Sequence, residues 1–373
     1  MTCDLWVATR KGLFGLSRGR GGWAISCTAL LGDPVTMVLI DREGAIHAAQ
    51  NLGHFGVKIK RSKDQGANWE ERAAPAYPPK PEEEEDNDPT RGTPVPWDLK
   101  TIWALELGAA ERPRELWCGT IPGGLFRSPD GGASWALVEG LWNHPQRKHW
   151  FGGGADFPGI HSILVDPRDA KVIRIGVSCA GLWVSEDDGA TWNVQGRGMR
   201  AEYMPPEQAY EPGVQDPHRI VQCRSAPERL WIQHHNGIFR SDDAGRNCEE
   251  VKDVPPSAFG FAVAVHPEDP DTAWFVPGVK DDARYPVDGA LAVTRTRDGG
   301  RSFEALRTGL PQKHAYDVVY RHGLDVEAGG NTLAFGSTTG NLWISEDQGD
   351  HWQSLSQTLP PIYGVRFAAP SAS

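Results

Sequence analysis

Histidines recur in a small set of polar segments. "PGIHS" carries His161, "QDPHRI" carries His218, "QHHNG" carries His234 and His235, and "PQKHAYD" carries His314 with Tyr316 and Asp317. Imidazoles that converge from several segments can hold a divalent metal, or they can give and take protons near neutral pH. The segment "GMRAEYMPPEQ" adds the cation Arg200 and the carboxylate Glu202. The candidate catalytic set is therefore His161, His218, His234, Glu202, Arg200, His314 and Tyr316. His161, His218 and His234 are the candidate metal ligands, and a divalent cation is the candidate cofactor. Neighbouring His234 and His235 cannot point the same way from a strand, so one of them faces the centre. A glycosidase would instead need two carboxylates flanking a bond, for which Asp156, Glu202, Glu207 and Asp216 are the candidates. The glycines of "FGGGADFPG" precede no helix, so they are read as letting backbone approach a channel rather than as a phosphate cradle.

What must position these residues is a repeat. "RSPDGGASW" returns as "RSKDQGANW", "VSEDDGATW", "RSDDAGRNC", "RTRDGGRSF" and "ISEDQGDHW". The register is Ser or Thr, then Asp, then Gly, then an aromatic, with Cys248 replacing the aromatic once. The aspartates are Asp64, Asp130, Asp187, Asp243, Asp298 and Asp347. A period of roughly 50 residues marks an array of small sheets. The short Asp side chain can accept backbone N–H groups ahead of it, and Gly permits the positive φ of a tight turn. Apolar runs such as "GGLFRS", "AGLWVS" and "GNLWIS" precede the turns. Further upstream lie "ELWCGT" and "RLWIQHH", and before those "GIHSILVDP", "FGFAVAVHP" and "AYDVVYR". One unit thus reads strand A, strand B, strand C, turn, strand D.

This unit resembles the Asp-box (BNR) repeats of sialidase-like propellers, and the likeness runs through nearly the whole chain. It implies an all-β, seven-bladed β-propeller spanning 1–373, with the boxes on one face. The amino-terminal "DLWVATRKGLFGLSRGRGGWAIS" reads as strands B, C and D without an A, and "IYGVRFA" near the carboxyl end as an A without followers. Residues 4–27 and 361–368 are therefore expected to complete one blade and close the ring. An aspartate written six times is read as structural. The D–A and B–C connections, which hold the histidines, open on the opposite face.

Composition narrows the partners. A net charge of −11 argues against nucleic acid, since no basic stripe is there to neutralise phosphates. No apolar run reaches the roughly 18 residues of a membrane span. The amino-terminal stretch lacks a secretion pattern, so a cytoplasmic location and six free thiols are expected. The acidic, proline-rich 80–96 segment reads as a solvated loop. Sialidases carry a Phe/Tyr-Arg-Ile-Pro motif that this chain does not contain. The expected function is a hydrolase or lyase acting on a small-molecule or carbohydrate-like substrate on the His-rich face. The alternatives are a sialidase-like glycoside hydrolase and a non-catalytic binding propeller similar to photosystem assembly factors.

Overall fold

Residues 3–368 are described by a computed structural model. They form seven four-stranded antiparallel sheets arranged as propeller blades. The first blade is assembled from both ends of the chain. Its order is Ile362–Phe367, Leu5–Thr9, Gly12–Gly19 and Gly22–Ala29, with Leu5 opposite Phe367 and Val7 opposite Val365. The expected ring closure is therefore present. The other six blades each use four consecutive strands. Among the described residues, α-helix is confined to the single turn Glu139–Trp142.

The core lies between neighbouring sheets. Trp6, Trp117, Trp231 and Trp274 from the second strands, with Trp183 and Trp343 from the third, are buried almost completely. Each fills the wedge between two blades, where alternating in-and-out side chains of a strand bring one large ring to the gap. Close approach also restricts residues: a Cβ at Gly336 would sit 2.6 Å from Ile362 Cδ1, across the seam where the last blade meets the first.

All six Ser/Thr-x-Asp-x-Gly turns connect the third and fourth strands and share one hydrogen-bond pattern. In the first, Ser62 Oγ donates to Asp64 Oδ1 at 2.8 Å, and Gly66 N–H donates to Ser62 Oγ at 2.9 Å. Asp64 then accepts from the Asn68 backbone and side chain at 2.8 and 2.7 Å. The Asp187 and Asp298 turns repeat this with Thr191 and Ser302. Because successive strands are antiparallel, these turns share an edge with the A–B connections, and the D–A and B–C connections share the other.

One strand lies elsewhere than expected. "AYDVVYR" is not the first strand of the seventh blade; that strand is Leu324–Val326, paired with Leu333–Gly336. Asp317 is bound by Ser337 Oγ at 2.6 Å and Asn341 Nδ2 at 2.8 Å, with Thr339 also in contact. That anchor holds the segment as irregular chain, which carries Tyr320, Arg321 and His322 toward the propeller axis.

Two outcomes test this architecture. Ile362→Ala removes a buried side chain from the closing seam and should cost about 2–5 kcal/mol in urea unfolding; a loss below about 1 kcal/mol would speak against a load on that seam. The turns also predict acid sensitivity. Hydrogen bonds from Ser302 hold Asp298 down to about 2, and at Asp130, slight burial notwithstanding, those from Ser134 do the same. An unfolded aspartate titrates near about 3.9. The stabilisation is therefore complete above about pH 4 and is lost as pH falls toward about 2. An Asp130→Asn, Asp298→Asn double variant should melt lower at pH 7 and lose less stability between pH 4 and 2 than the parent.

Candidate functional site

The D–A and B–C connections surround an axial pocket of about 760 Å³. That size suits a small ligand, whose sites span roughly 300–1,000 Å³. Aromatic side chains line much of it: Trp103, Phe151, Tyr203, Phe261, Tyr320 and Tyr363. Asp216, Asp281, His218, His235, His322, Cys179, Arg10, Arg284 and Arg321 join the tyrosines as its charged and titratable groups. Gly153 and Gly154 also reach it, so the glycine run does bring backbone to the axis.

At one side of the pocket stand Asp216, His218 and His235, all from the fifth blade. Asp216 immediately precedes the strand Pro217–Gln222, which carries His218, and His235 follows the strand Leu230–His234. One carboxylate oxygen and one nitrogen from each ring lie within 4.8 Å of one another. Asp216 Oδ2 is 3.5 Å from His218 Nε2 and 3.5 Å from His235 Nδ1. The other oxygen, Oδ1, accepts the Cys179 N–H at 3.1 Å. His218 Nδ1 faces the Gly260 carbonyl at 2.7 Å and so carries the proton. Phe261 stacks on His218 with centroids 4.5 Å apart, while Tyr203 and Phe259 meet His235 edge-on. Burial alone would raise the Asp216 carboxyl, yet the two imidazoles hold it well below the usual range. Burial pushes His218 down, and for His235 the neighbouring Asp216 outweighs burial and raises it.

Beside this cluster, Arg321 lies over the Trp103 ring at 4.5 Å and, at 5.6 Å, over the Phe261 ring that stacks on His218. Its Nε is buried without a hydrogen-bond partner, and its side chain lines the pocket. Burial brings it down to about 10, so it stays cationic at neutral pH. Beneath the pocket, Arg366 of the first blade meets Glu106 of the third at 2.5 Å. Arg219 of the fifth blade stands 3.8 Å from the same carboxylate and donates to the His161 carbonyl at 2.9 Å. These ion pairs cross the axis.

The residues singled out in the sequence separate into distinct places. His218 reaches the pocket. His161 is fully buried under Trp103, its Nδ1 2.9 Å from Ser162 Oγ, and burial drives it well below its usual pKa. His234 is fully buried as well, with both nitrogens within 3.1 Å of the Asp216 and Asn236 N–H groups. The grouping His161, His218 and His234 is therefore not brought together; His235 is the member of the "HH" pair that faces the centre. Arg200 and Glu202 pair with each other at 2.5 Å outside the pocket lining. His314 and Tyr316 border a separate surface hollow with Lys313 and Tyr285. Of the carboxylates, Asp216 lines the pocket, whereas Glu202 and Glu207 are exposed and Asp156 lies outside the lining. Sequence reasoning missed Trp103, Phe261 and Arg321. Arg321 was hidden inside "AYDVVYR", whose alternation imitates a strand.

No protein-family model matches the chain. Over 79 residues it is 35% identical to the oligoxyloglucan-reducing end-specific xyloglucanase of Emericella nidulans, covering 21% of this chain and 9% of that protein. Over 281 residues it is 24% identical to a probable enzyme of the same description from Neosartorya fischeri, covering 67% of this chain and 31% of the relative. The chain thus spans well under half of the curated relatives it matches. Among solved structures, a GH74 xyloglucanase from Xanthomonas campestris superposes with a TM-score of 0.62 at 17% identity, over 95% of this chain and 53% of that one. YCF48 bound to a D1 peptide gives 0.55 at 14% identity, over 90% and 88%. A functionally unknown protein from Desulfotomaculum acetoxidans gives 0.58 at 9% identity, over 99% and 100%. The chain is a seven-bladed β-propeller with weak sequence similarity to xyloglucanases. The structural likenesses, at such low identity, establish the shared fold alone.

The different burial of the histidines predicts different roles. His234→Ala removes the one acceptor nitrogen that a neutral imidazole offers to the Asp216 and Asn236 N–H groups and should destabilise by about 1–3 kcal/mol in chemical denaturation. Tyr316→Ala, at an exposed position, should stay within about 0.5 kcal/mol of the parent. Equal losses in the two variants would contradict these placements.

Proposed function

We propose that the axial pocket is the active site of a hydrolase or lyase that acts on a small, polar, carbohydrate-like substrate. The carrying observation is the convergence of Asp216, His218 and His235 on one point at the wall of a pocket of sugar-like dimensions. Aromatic side chains such as Phe151 and Tyr363 suit the apolar faces of a sugar ring, and the surrounding Asn51, Thr36 and Thr101 suit its hydroxyls. Arg321, cationic and with its buried Nε free of a hydrogen-bond partner, is placed to meet an electron-rich substrate oxygen. The weak similarity to proteins described as xyloglucanases supports a carbohydrate-like substrate.

An ordinary two-carboxylate glycosidase fits less well. The pocket-lining carboxylates Asp216 and Asp281 are on either side of the same imidazole, 3.5 and 4.0 Å from the two nitrogens of His235. The ring occupies space that an inverting pair would leave for water. A second reading, a peptide-binding propeller, is supported by the likeness to YCF48 bound to a D1 peptide. The two readings part on turnover. Chromogenic glycosides, xylo-oligosaccharides and sugar lactones should include at least one substrate, and Asp216→Asn should lower kcat at least 100-fold with the fold retained. Absence of turnover across the panel, together with saturable peptide binding, would replace the enzyme with a binding module.

A further inference from the structure

We propose that Asp216 Oδ2, His218 Nε2 and His235 Nδ1 form a binding site for a divalent first-row transition ion, open to the axial pocket. This rests on reading the pocket as the functional site, and it names the cofactor class of that site.

The first argument is distance. A charge-assisted N–H···O⁻ bond closes to about 2.7–2.9 Å. Here both Asp216–imidazole separations are 3.5 Å, and all three atoms lie within 4.8 Å of one another. Two donors bound to one tetrahedral ion at about 2.1 Å stand about 3.4 Å apart. The two Asp216–imidazole separations are therefore longer than a closed hydrogen bond and match the spacing of donors around one ion.

The second argument is proton placement. His218 Nδ1 points at the Gly260 carbonyl at 2.7 Å, which fixes the proton there and leaves a lone pair on Nε2. This is the usual arrangement by which a backbone carbonyl orients a metal-binding imidazole. That lone pair faces Asp216 Oδ2, itself an acceptor. Two buried acceptors facing each other repel unless a proton or a metal ion lies between them, and 3.5 Å is longer than the distance to which a proton-bridged pair closes. His235 completes the set, with Nδ1 3.5 Å from the same Asp216 oxygen and Nε2 turned toward Asp281 at 4.0 Å.

The third argument is rigidity. Asp216 and His218 are buried, and Asp216 is tied down through Oδ1 to the Cys179 N–H. His218 is stacked on Phe261, and His235 meets Tyr203 and Phe259 edge-on. All three ligands come from one blade, so binding requires no rearrangement between sheets. Two imidazoles and one carboxylate favour ions such as Zn²⁺, Co²⁺, Ni²⁺ or Mn²⁺ over Ca²⁺ and Mg²⁺, which prefer all-oxygen sites. Three protein ligands leave the remaining positions to water or a substrate oxygen from the pocket.

The test uses the full, untagged chain, stripped with a chelator and titrated with Zn²⁺ and Co²⁺ by calorimetry. One equivalent should bind with a Kd of micromolar or tighter, and Co²⁺ should develop visible d–d absorption. His218→Ala and Asp216→Asn should each weaken binding at least 100-fold, and His351→Ala, on an exposed turn, should leave it unchanged. Should His218→Ala fail to fold, His235→Ala provides the same readout from a turn residue. Absence of stoichiometric binding, or binding untouched by these substitutions, overturns the site. Metal binding without turnover of any saccharide or lactone would count against the enzyme reading alone, and turnover undiminished after chelation would count against the metal alone.

Discussion

The pairing of Ile362–Phe367 with Leu5–Thr9 is the contact on which the rest of the molecule depends. A propeller with an open seam has two unpaired sheet edges and no fixed axis. Closing it brings Tyr363 to the pocket and Arg366 to Glu106, residues more than 250 positions apart. The innermost strands then stand at set angles around the axis, and their first residues define the pocket wall. Site geometry in this chain follows from ring closure before it follows from any local motif.

The ring also separates repeated from unique chemistry. The six turn aspartates occupy equivalent positions and each is consumed by hydrogen bonds to its own turn, which suits a structural role and leaves no lone pair aimed at the axis. Asp216 is the opposite case. It occurs once, and one of its oxygens remains directed at two imidazoles. Differences in the D–A and B–C connections, not in the repeated turns, set which charged and aromatic side chains meet in the pocket. The scaffold's stability and its chemistry can therefore be altered nearly independently.

Much of the architecture was legible because repeated turns carry a fixed residue order and because the two orphan strands at the ends complement each other. The face on which the pocket opens followed from the same topology. Individual site residues were harder to read. His161 and His234 look equivalent to His218 in sequence, and His161 holds the same register in its strand as His218, yet Trp103 covers His161 and His234 is turned to the Asp216 and Asn236 N–H groups. The doublet His234–His235 had one inward member, as period-two geometry requires, but which one depended on the turn that follows. Arg321 was concealed because valines and tyrosines alternating around Asp317 imitate a strand. Only the tertiary anchor from Ser337 and Asn341 to Asp317 releases that segment from the sheet.

The ion pairs of Arg366, Glu106 and Arg219 beneath the pocket have a further consequence. They link the first, third and fifth blades across the axis, so an exchange at any one of these charged groups is felt by blades that share no hydrogen-bonded strand.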